Sequence, residues 1–289
     1  TALGSAALYA NTTGAQNTAV GTLASDAITT GLENSSLGYW SLSDNTTGNY
    51  NTALGSRAMK ANTTAANNTA VGYQSLYANT TGTGNTSVGS YSLDANTTAN
   101  DNSALGQSTL GQNTTGNHNT GLGRSALTAN TTGSYNTAVG SQALLANTTG
   151  VQNQAFGYYS MNENTTGNYN SGFGIYALRG NTTGDNNTAT GKGALRSNTT
   201  ADNNTATGYY ALFANTTGVN NVGLGYTAGD NITTGSSNII IGSGIDAPSA
   251  TASNQLNIGN WIYGSGGNVG IGTASPTSVL HIKSDTAND

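Results

Sequence analysis

The chain has 289 residues, of which 7% are charged, with a net charge of −5, 41 glycines and no cysteine. Globular domains carry about 25% charged residues, so an ordinary compact domain fits poorly, while the low net charge argues equally against disorder. The missing cysteines exclude disulfides and thiolate metal sites, the acidic balance leaves no basic stripe for nucleic acid, and no apolar run approaches the ~18 residues of a membrane span.

Residues 1–245 are one tandem repeat. Asn-Thr-Thr begins at Asn11, Asn45, Asn62, Asn79, Asn96, Asn113, Asn130, Asn147, Asn164, Asn181, Asn198 and Asn215. The step is 17 residues throughout, with Ile28-Thr29-Thr30 in the one skipped place and Ile232-Thr233-Thr234 continuing the frame. A glycine column runs without a miss from Gly4 to Gly259 and includes Gly21, Gly55, Gly72, Gly89 and Gly140. An asparagine column runs from Asn17 to Asn238 and includes Asn34, Asn51, Asn68, Asn85, Asn119 and Asn136. Seventeen residues cannot hold a helix pair, but they can hold one coil of short strands and tight turns. The expected fold is therefore all-β, a parallel β-solenoid (β-roll or β-helix) of 17-residue coils. About 14 to 15 coils at a strand spacing of ~4.8 Å predict a rod of about 70 Å.

Within the frame Asn-Thr-Ala-Φ-Gly, Φ is an apolar column from Leu3 through Val20, Leu37 and Leu54 to Ile258, weakened at Thr190 and Thr207. A second column reads Leu42, Met59, Leu76 and onward to Leu212. These predict two apolar ridges along the stack. Strand alternation puts Φ and the small residue before it on opposite sides. The expectation is Φ in the interior and the small residues against a second chain, hence an oligomer. The invariant glycine suits a positive φ or a close approach at a corner. Asn-Thr-Thr-Gly reads as the other turn, with its glycine left-handed. Asn17, Asn51, Asn68, Asn85, Asn119 and Asn136 are the candidates for an inward amide ladder. The second coil is irregular, because Leu23 is displaced from its column.

From 219 the pattern drifts, and Ile239-Ile240-Ile241 reads as a closing coil. Residues 246–253 read as a linker. Residues 254–289 read as a short β-rich neck that is too small for a core of its own.

Little catalytic chemistry is visible. No His/Asp/Glu cluster has metal-ligand spacing, and His118 has no orienting partner in its own repeat. The carboxylates form no paired column of the kind a glycosidase uses, so the expectation is no enzyme, no cofactor and no metal. The twelve Asn-Thr-Thr asparagines are formal N-glycosylation acceptors in one phase, with turn chemistry as the alternative. The columns of threonine resemble the flat faces of ice-binding solenoids, but their position in a turn beside glycine suits a flat face poorly. Exposed tyrosines, among them Tyr158, Tyr159, Tyr176, Tyr209, Tyr210 and Tyr226, suit stacking on sugars or ordinary surface. The scattered charges, such as Arg57, Lys60, Arg179, Lys192 and Arg196, suit solubility.

The units Asn-Thr-Ala-Val-Gly-x-x-Ala-Leu and Asn-Thr-Thr-Gly resemble repeats of phage tail-fibre and related surface proteins that end in an endosialidase-type intramolecular chaperone. Gly267-Asn-Val-Gly-Ile-Gly-Thr-Ala-Ser-Pro-Thr-Ser-Val-Leu-His-Ile282 is similar to the segment that commonly precedes that chaperone. Asn-Thr-Ala-Φ-Gly also resembles the Asn-Ser-Val-Ala-Ile-Gly motif of trimeric autotransporter adhesin heads, whose coils are shorter. Both resemblances imply a homotrimer outside the cell, as a virion fibre or a cell-surface filament. The chaperone's self-cleaving serine has no counterpart here. The function implied is a structural shaft that presents an attachment element at a distance. The alternatives are a glycan-coated filament or carbohydrate-binding adhesin, and then a tailspike-type glycosidase. The chain opens in mid-repeat at Thr1, which fits a fragment or a processed product. The partners implied are other copies of the chain and host-surface carbohydrate, with no nucleic acid and no membrane.

Overall fold

Each coil owns one strand of three residues, Thr-Ala-Val or a near variant. A β-branched residue favours the pleated conformation, and the following glycine ends the strand at once by turning to a φ near +130 to +140°. The computed structural model describes residues 1–283 and divides the chain into two compact units, Thr1–Gln152 and Asn153–Asp289. The architecture is all-β, a parallel β-solenoid of 17-residue coils, and no helix occurs among the described residues.

In the first unit the strands are β1 (Ala2–Leu3), β2 (Thr18–Val20), β3 (Ser35–Leu37), β4 (Thr52–Leu54), β5 (Thr69–Val71), β6 (Thr86–Val88), β7 (Ser103–Leu105), β8 (Thr120–Leu122) and β9 (Thr137–Val139). Each pairs in parallel with the next at an offset of 17, as in Ala53↔Ala70 and Leu54↔Val71. In the second unit β10 (Gln154–Phe156), β11 (Ser171–Phe173), β12 (Thr188–Thr190), β13 (Thr205–Thr207), β14 (Val222–Leu224) and β15 (Ile239–Ile241) do the same. The frame then continues one step further. β16 (Leu256–Ile258) pairs with β15 in the same register, Ile240 facing Asn257. Residues 246–253 are thus the turn of another coil rather than a separating linker. Ile245 and Ala247 are buried in that turn, and Gln255 takes the next place in the asparagine column. Beyond it β17 (Ile262–Ser265) and β18 (Asn268–Ile271) add antiparallel, and β19 (Leu280–Ile282) pairs in parallel with β18. The last six residues of the expected neck lie outside the described residues.

The non-strand sides of a coil also bond to their neighbours. The Leu42 amide donates to the Ala58 carbonyl at 3.0 Å, the Thr46 amide to Thr63 at 2.8 Å and the Arg57 amide to Tyr39 at 2.8 Å. This is costly backbone. Trp40, Leu42 and Tyr50 lie at φ values of 52–58°, and the pattern recurs from coil to coil. A left-handed L-residue costs about 1–2 kcal/mol, so a lone coil is unfavourable and stacking has to offset the strain.

The interior differs from the two-ridge expectation. The leucine column is fully buried, Leu42, Met59, Leu76, Leu93, Leu110 and Leu127 among them. The small strand residue is buried too, as at Ala19, Ala53, Ala70 and Ala138. Φ points outward: Leu37 is 47% exposed and Leu105 49%. The alternation is as expected, but its sides are exchanged. The coil is narrow, and the leucine column with the asparagines leaves room only for Ala, Ser or Gly across from them. The small residues therefore do not supply an outward interface.

Coils that lack the leucine compensate by volume. Ser25 and Gly229 stand in the leucine place, and in those two coils Ile28 and Ile232 replace the asparagine. A Cβ built on Gly229 would lie 3.3 Å from Ile232 Cδ1 and 3.2 Å from Ile240 Cγ1. Isoleucine fills the space that leucine vacates, which explains the displaced Leu23.

Candidate functional site

An asparagine amide has two N–H donors and one strong acceptor. A stack of coils offers each asparagine a carbonyl beside it and an asparagine above and below. In the column from Asn17, the Asn51 Nδ2 donates to the Ala65 carbonyl at 2.9 Å and to Asn34 Oδ1 at 3.1 Å. The Asn51 backbone N–H donates to the same Oδ1 at 3.0 Å. Asn68, Asn85, Asn119 and Asn136 repeat the backbone bond at 2.9–3.1 Å. Their amides reach Gly82, Ala99, Gly133 and Gly150 at 2.8–2.9 Å. Asn17 starts the column with a 2.7 Å bond to Gly31. In the second unit Gln255 bonds Asn238 Oδ1 through its backbone N–H at 2.9 Å, in the place of the next asparagine.

The Asn-Thr-Thr asparagines form a second ladder, which the sequence did not disclose. Nδ2 of Asn62 donates to Asn45 Oδ1 at 2.9 Å, Asn79 to Asn62 at 2.9 Å, Asn96 to Asn79 at 2.8 Å and Asn113 to Asn96 at 3.2 Å. Asn130 donates to Asn113 at 2.7 Å and Asn147 to Asn130 at 2.8 Å. In the second unit Asn181 donates to Asn164, Asn198 to Asn181 and Asn215 to Asn198, at 2.8–3.0 Å. Each Nδ2 also donates to the carbonyl three residues on, as Asn130 does to Gly133 at 2.9 Å. Asn45, Asn62, Asn79, Asn96, Asn113, Asn130, Asn147, Asn164, Asn181, Asn198 and Asn215 have no solvent exposure. Both N–H groups of the stacked amides are used, and the nitrogen faces the interior. A glycan on any of these eleven nitrogens is incompatible with the fold. Asn11, separated from the ladder by Ile28, is exposed, and its Nδ2 bonds the Gly14 carbonyl at 3.0 Å.

The glycines separate into two kinds. Gly55 has φ +134°, and a Cβ there would meet the Gly72 carbonyl oxygen at 2.5 Å. Gly21, Gly72, Gly89 and Gly140 share that conformation, at +132 to +137°. The glycine of Asn-Thr-Thr-Gly does not take the expected left-handed conformation. Close approach selects it instead, and alanine stands in its place at Ala65, Ala99 and Ala201, each almost fully buried. The left-handed residue comes two positions later, as at Tyr50 and Tyr135.

Outside, the strand face presents Thr and Φ in two parallel columns. In the first unit they line a shallow apolar groove, with Thr86, Ser103 and Thr120 on one side and Val88, Leu105 and Leu122 on the other. No charged residue occupies either column from β2 to β15. The corner after the glycine column carries most of the tyrosines and most of the cations. In the first unit Arg57 Cζ and Lys60 Nζ lie 5.4 and 5.5 Å from the Trp40 ring, which stacks on Tyr39. In the second unit Tyr158 packs on Tyr159 at 4.3 Å, and both lie 5.9 Å from Tyr176. Arg179 Cζ sits 5.7 Å from the Tyr176 ring, and Arg196 Cζ lies 5.3 Å from Tyr176 and 5.6 Å from Phe213. Lys192 Nζ is 5.6 Å from the Tyr209 ring, which stacks on Tyr226 at 5.3 Å.

Several carboxylates are displaced in pKa. Burial pushes Asp94 and Asp26 above the ordinary carboxylate range. Asp230 is raised by burial and then by its hydrogen bond to Asp246 and the repulsion between them. His118 finds a partner that its own repeat lacks: its Nδ1 is 3.8 Å from Asp101 Oδ2 of the preceding coil, and its ring stacks on Tyr135. No group of three potential metal ligands occurs among the described residues, and among them no helix is long and apolar enough to cross a membrane. In comparisons with known protein families, curated proteins and solved structures, nothing matches this chain.

Proposed function

We propose that the chain is a structural shaft, a self-associating solenoid segment of an extracellular fibre that holds an attachment element away from its base. The observation that carries this reading is the outward Φ column. It is apolar, uncharged and repeated once per coil, with Leu105 and Leu122 about half exposed. Contiguous exposed apolar surface on a soluble protein marks an interaction site, and a face repeated at every coil fits a partner with the same repeat. A second copy of this chain has that repeat, and three copies are the number the resemblance implies.

The rest of the repeat supports a mechanical role. Its columns fill the interior, complete the amide ladders or close the corners. The buried amides at Asn45 and its successors count against the glycan-coated filament. The test is light scattering on the purified chain and on Leu37→Asp/Leu105→Asp. The wild type should be a stable trimer, and the variant should dissociate while keeping its β circular dichroism. A wild type that stays monomeric at high micromolar concentration overturns the reading.

A further inference from the structure

Rings and cations alternate along one corner of the second unit, over the five coils from Tyr158 to Tyr226. Each cation lies over a ring: Arg179 over Tyr159 and Tyr176, Arg196 over Tyr176 and Phe213, Lys192 over Tyr209. The chain holds seven Lys and Arg residues in all and is acidic overall, yet three of the seven fall between 179 and 196 on this corner. Solubility alone does not call for that concentration. Arg179 is paired with Glu163 at 3.4 Å, while Lys192 and Arg196 have no carboxylate partner among the described residues.

We infer that this corner binds an acidic oligosaccharide, with carboxylate-bearing sugar rings stacking on the tyrosines and their carboxylates meeting Arg196, Lys192 and Arg179. Tyrosine offers an apolar face with a polar tip. Arginine packs against rings, and its planar N–H fork matches a carboxylate bidentately. Tyr158, Tyr209 and Tyr226 are exposed, so part of each side chain is accessible to a ligand. Five coils at a strand spacing of ~4.8 Å give a track of about 19 Å, long enough for a short oligosaccharide. Single-stranded nucleic acid also uses rings and cations. Its charge density suits a longer basic groove. An oligosaccharide with separated carboxylates fits three cations better. The inference does not depend on the shaft reading, because the corner and the Φ face are different sides of the coil.

The experiment is titration calorimetry on the full chain with hexagalacturonate, with maltohexaose as the neutral probe and a fifteen-residue oligothymidylate as the nucleic-acid probe. Hexagalacturonate should bind saturably and more weakly as salt rises, and maltohexaose should bind at least tenfold more weakly. Arg179→Gln/Arg196→Gln and Tyr209→Ala should each weaken binding at least tenfold without moving the thermal midpoint by more than a few degrees. Arg124→Gln should leave binding unchanged. Should a multiple variant fail to fold, Lys192→Gln on the exposed rim provides the same comparison. The inference is overturned by absence of saturable binding, by equal binding of the neutral hexamer, by tighter binding of oligothymidylate, or by wild-type affinity in the corner variants.

Discussion

A buried primary amide is costly unless its donors and its acceptor are all met. Asn68 meets that condition through Gly82 on its own side of the coil and through Asn51 and Asn85 in the neighbouring coils. Asn68→Ala strands the Asn85 N–H and leaves the Gly82 carbonyl with Asn79 Nδ2 as its remaining side-chain donor, so it should cost about 1–3 kcal/mol in urea unfolding, one unmet buried group. Gly55→Ala combines a forbidden φ with a backbone clash and should cost at least ~2 kcal/mol. At the exposed face, by contrast, Leu54→Thr should change monomer stability by less than about 0.5 kcal/mol, because Φ lies outside and Thr190 and Thr207 already stand there. Asp94 gives the pH dependence. Its folded pKa is raised, so its contribution is fully present below the unfolded value of ~3.9 and is lost as pH rises through the folded value. Asp94→Asn should therefore gain on the wild type as pH rises from about 4 to about 7 and match it at lower pH. Equal thermal midpoints at every pH would refute the burial of that carboxyl.

At the scale of the coil, volume is conserved across columns rather than within them. Thr109 stands where other coils have Ala or Ser, and the strand residue opposite it is Gly121; a Cβ at 121 would lie 2.5 Å from Thr109 Cγ2. Gly121→Ala alone should overpack by about 1–3 kcal/mol. With Thr109→Ala it becomes the Ala/Ala pair of other coils, and the two substitutions should couple by about 1–3 kcal/mol in a double-mutant cycle. Additivity would contradict the narrow interior. The same narrowness explains which parts of the coil were legible. The 17-residue period, the glycine column and the inward Asn17-to-Asn238 column can be read directly, because each position tolerates one residue type. The orientation of the strand could not be taken from alternation, which fits either face inward. The signal lay in the variance: Φ ranges from Thr to Phe in size, while the residue before it is nearly always Ala, Ser or Gly. An interior column holds its volume, and an exposed one drifts. The Asn-Thr-Thr ladder was hidden by its sequon, since turn, acceptor and ladder all call for asparagine there. The aromatic corner looks like scattered charge and surface in the sequence because its members are adjacent only across coils.

In the whole molecule a self-sufficient coil carries an outward apolar face that the monomer leaves exposed. The ladders, the leucine column and the glycine corners explain how a chain with few charges and no disulfides holds a fold. They leave the apolar Thr/Φ face and the ring-and-cation corner as the two surfaces for which binding is proposed. If self-association uses the Φ face, Leu105→Asp acts on assembly and not on the coil, whereas Asn68→Ala acts on both. The most direct measurement is cryo-electron microscopy of the assembled full chain at side-chain resolution. The account predicts three copies with Leu37, Leu54, Leu105 and Leu122 of each facing the others, and no added density at Asn45 or its successors. A particle whose Φ columns all face solvent, or one that carries glycan density on the buried asparagine column, would contradict it.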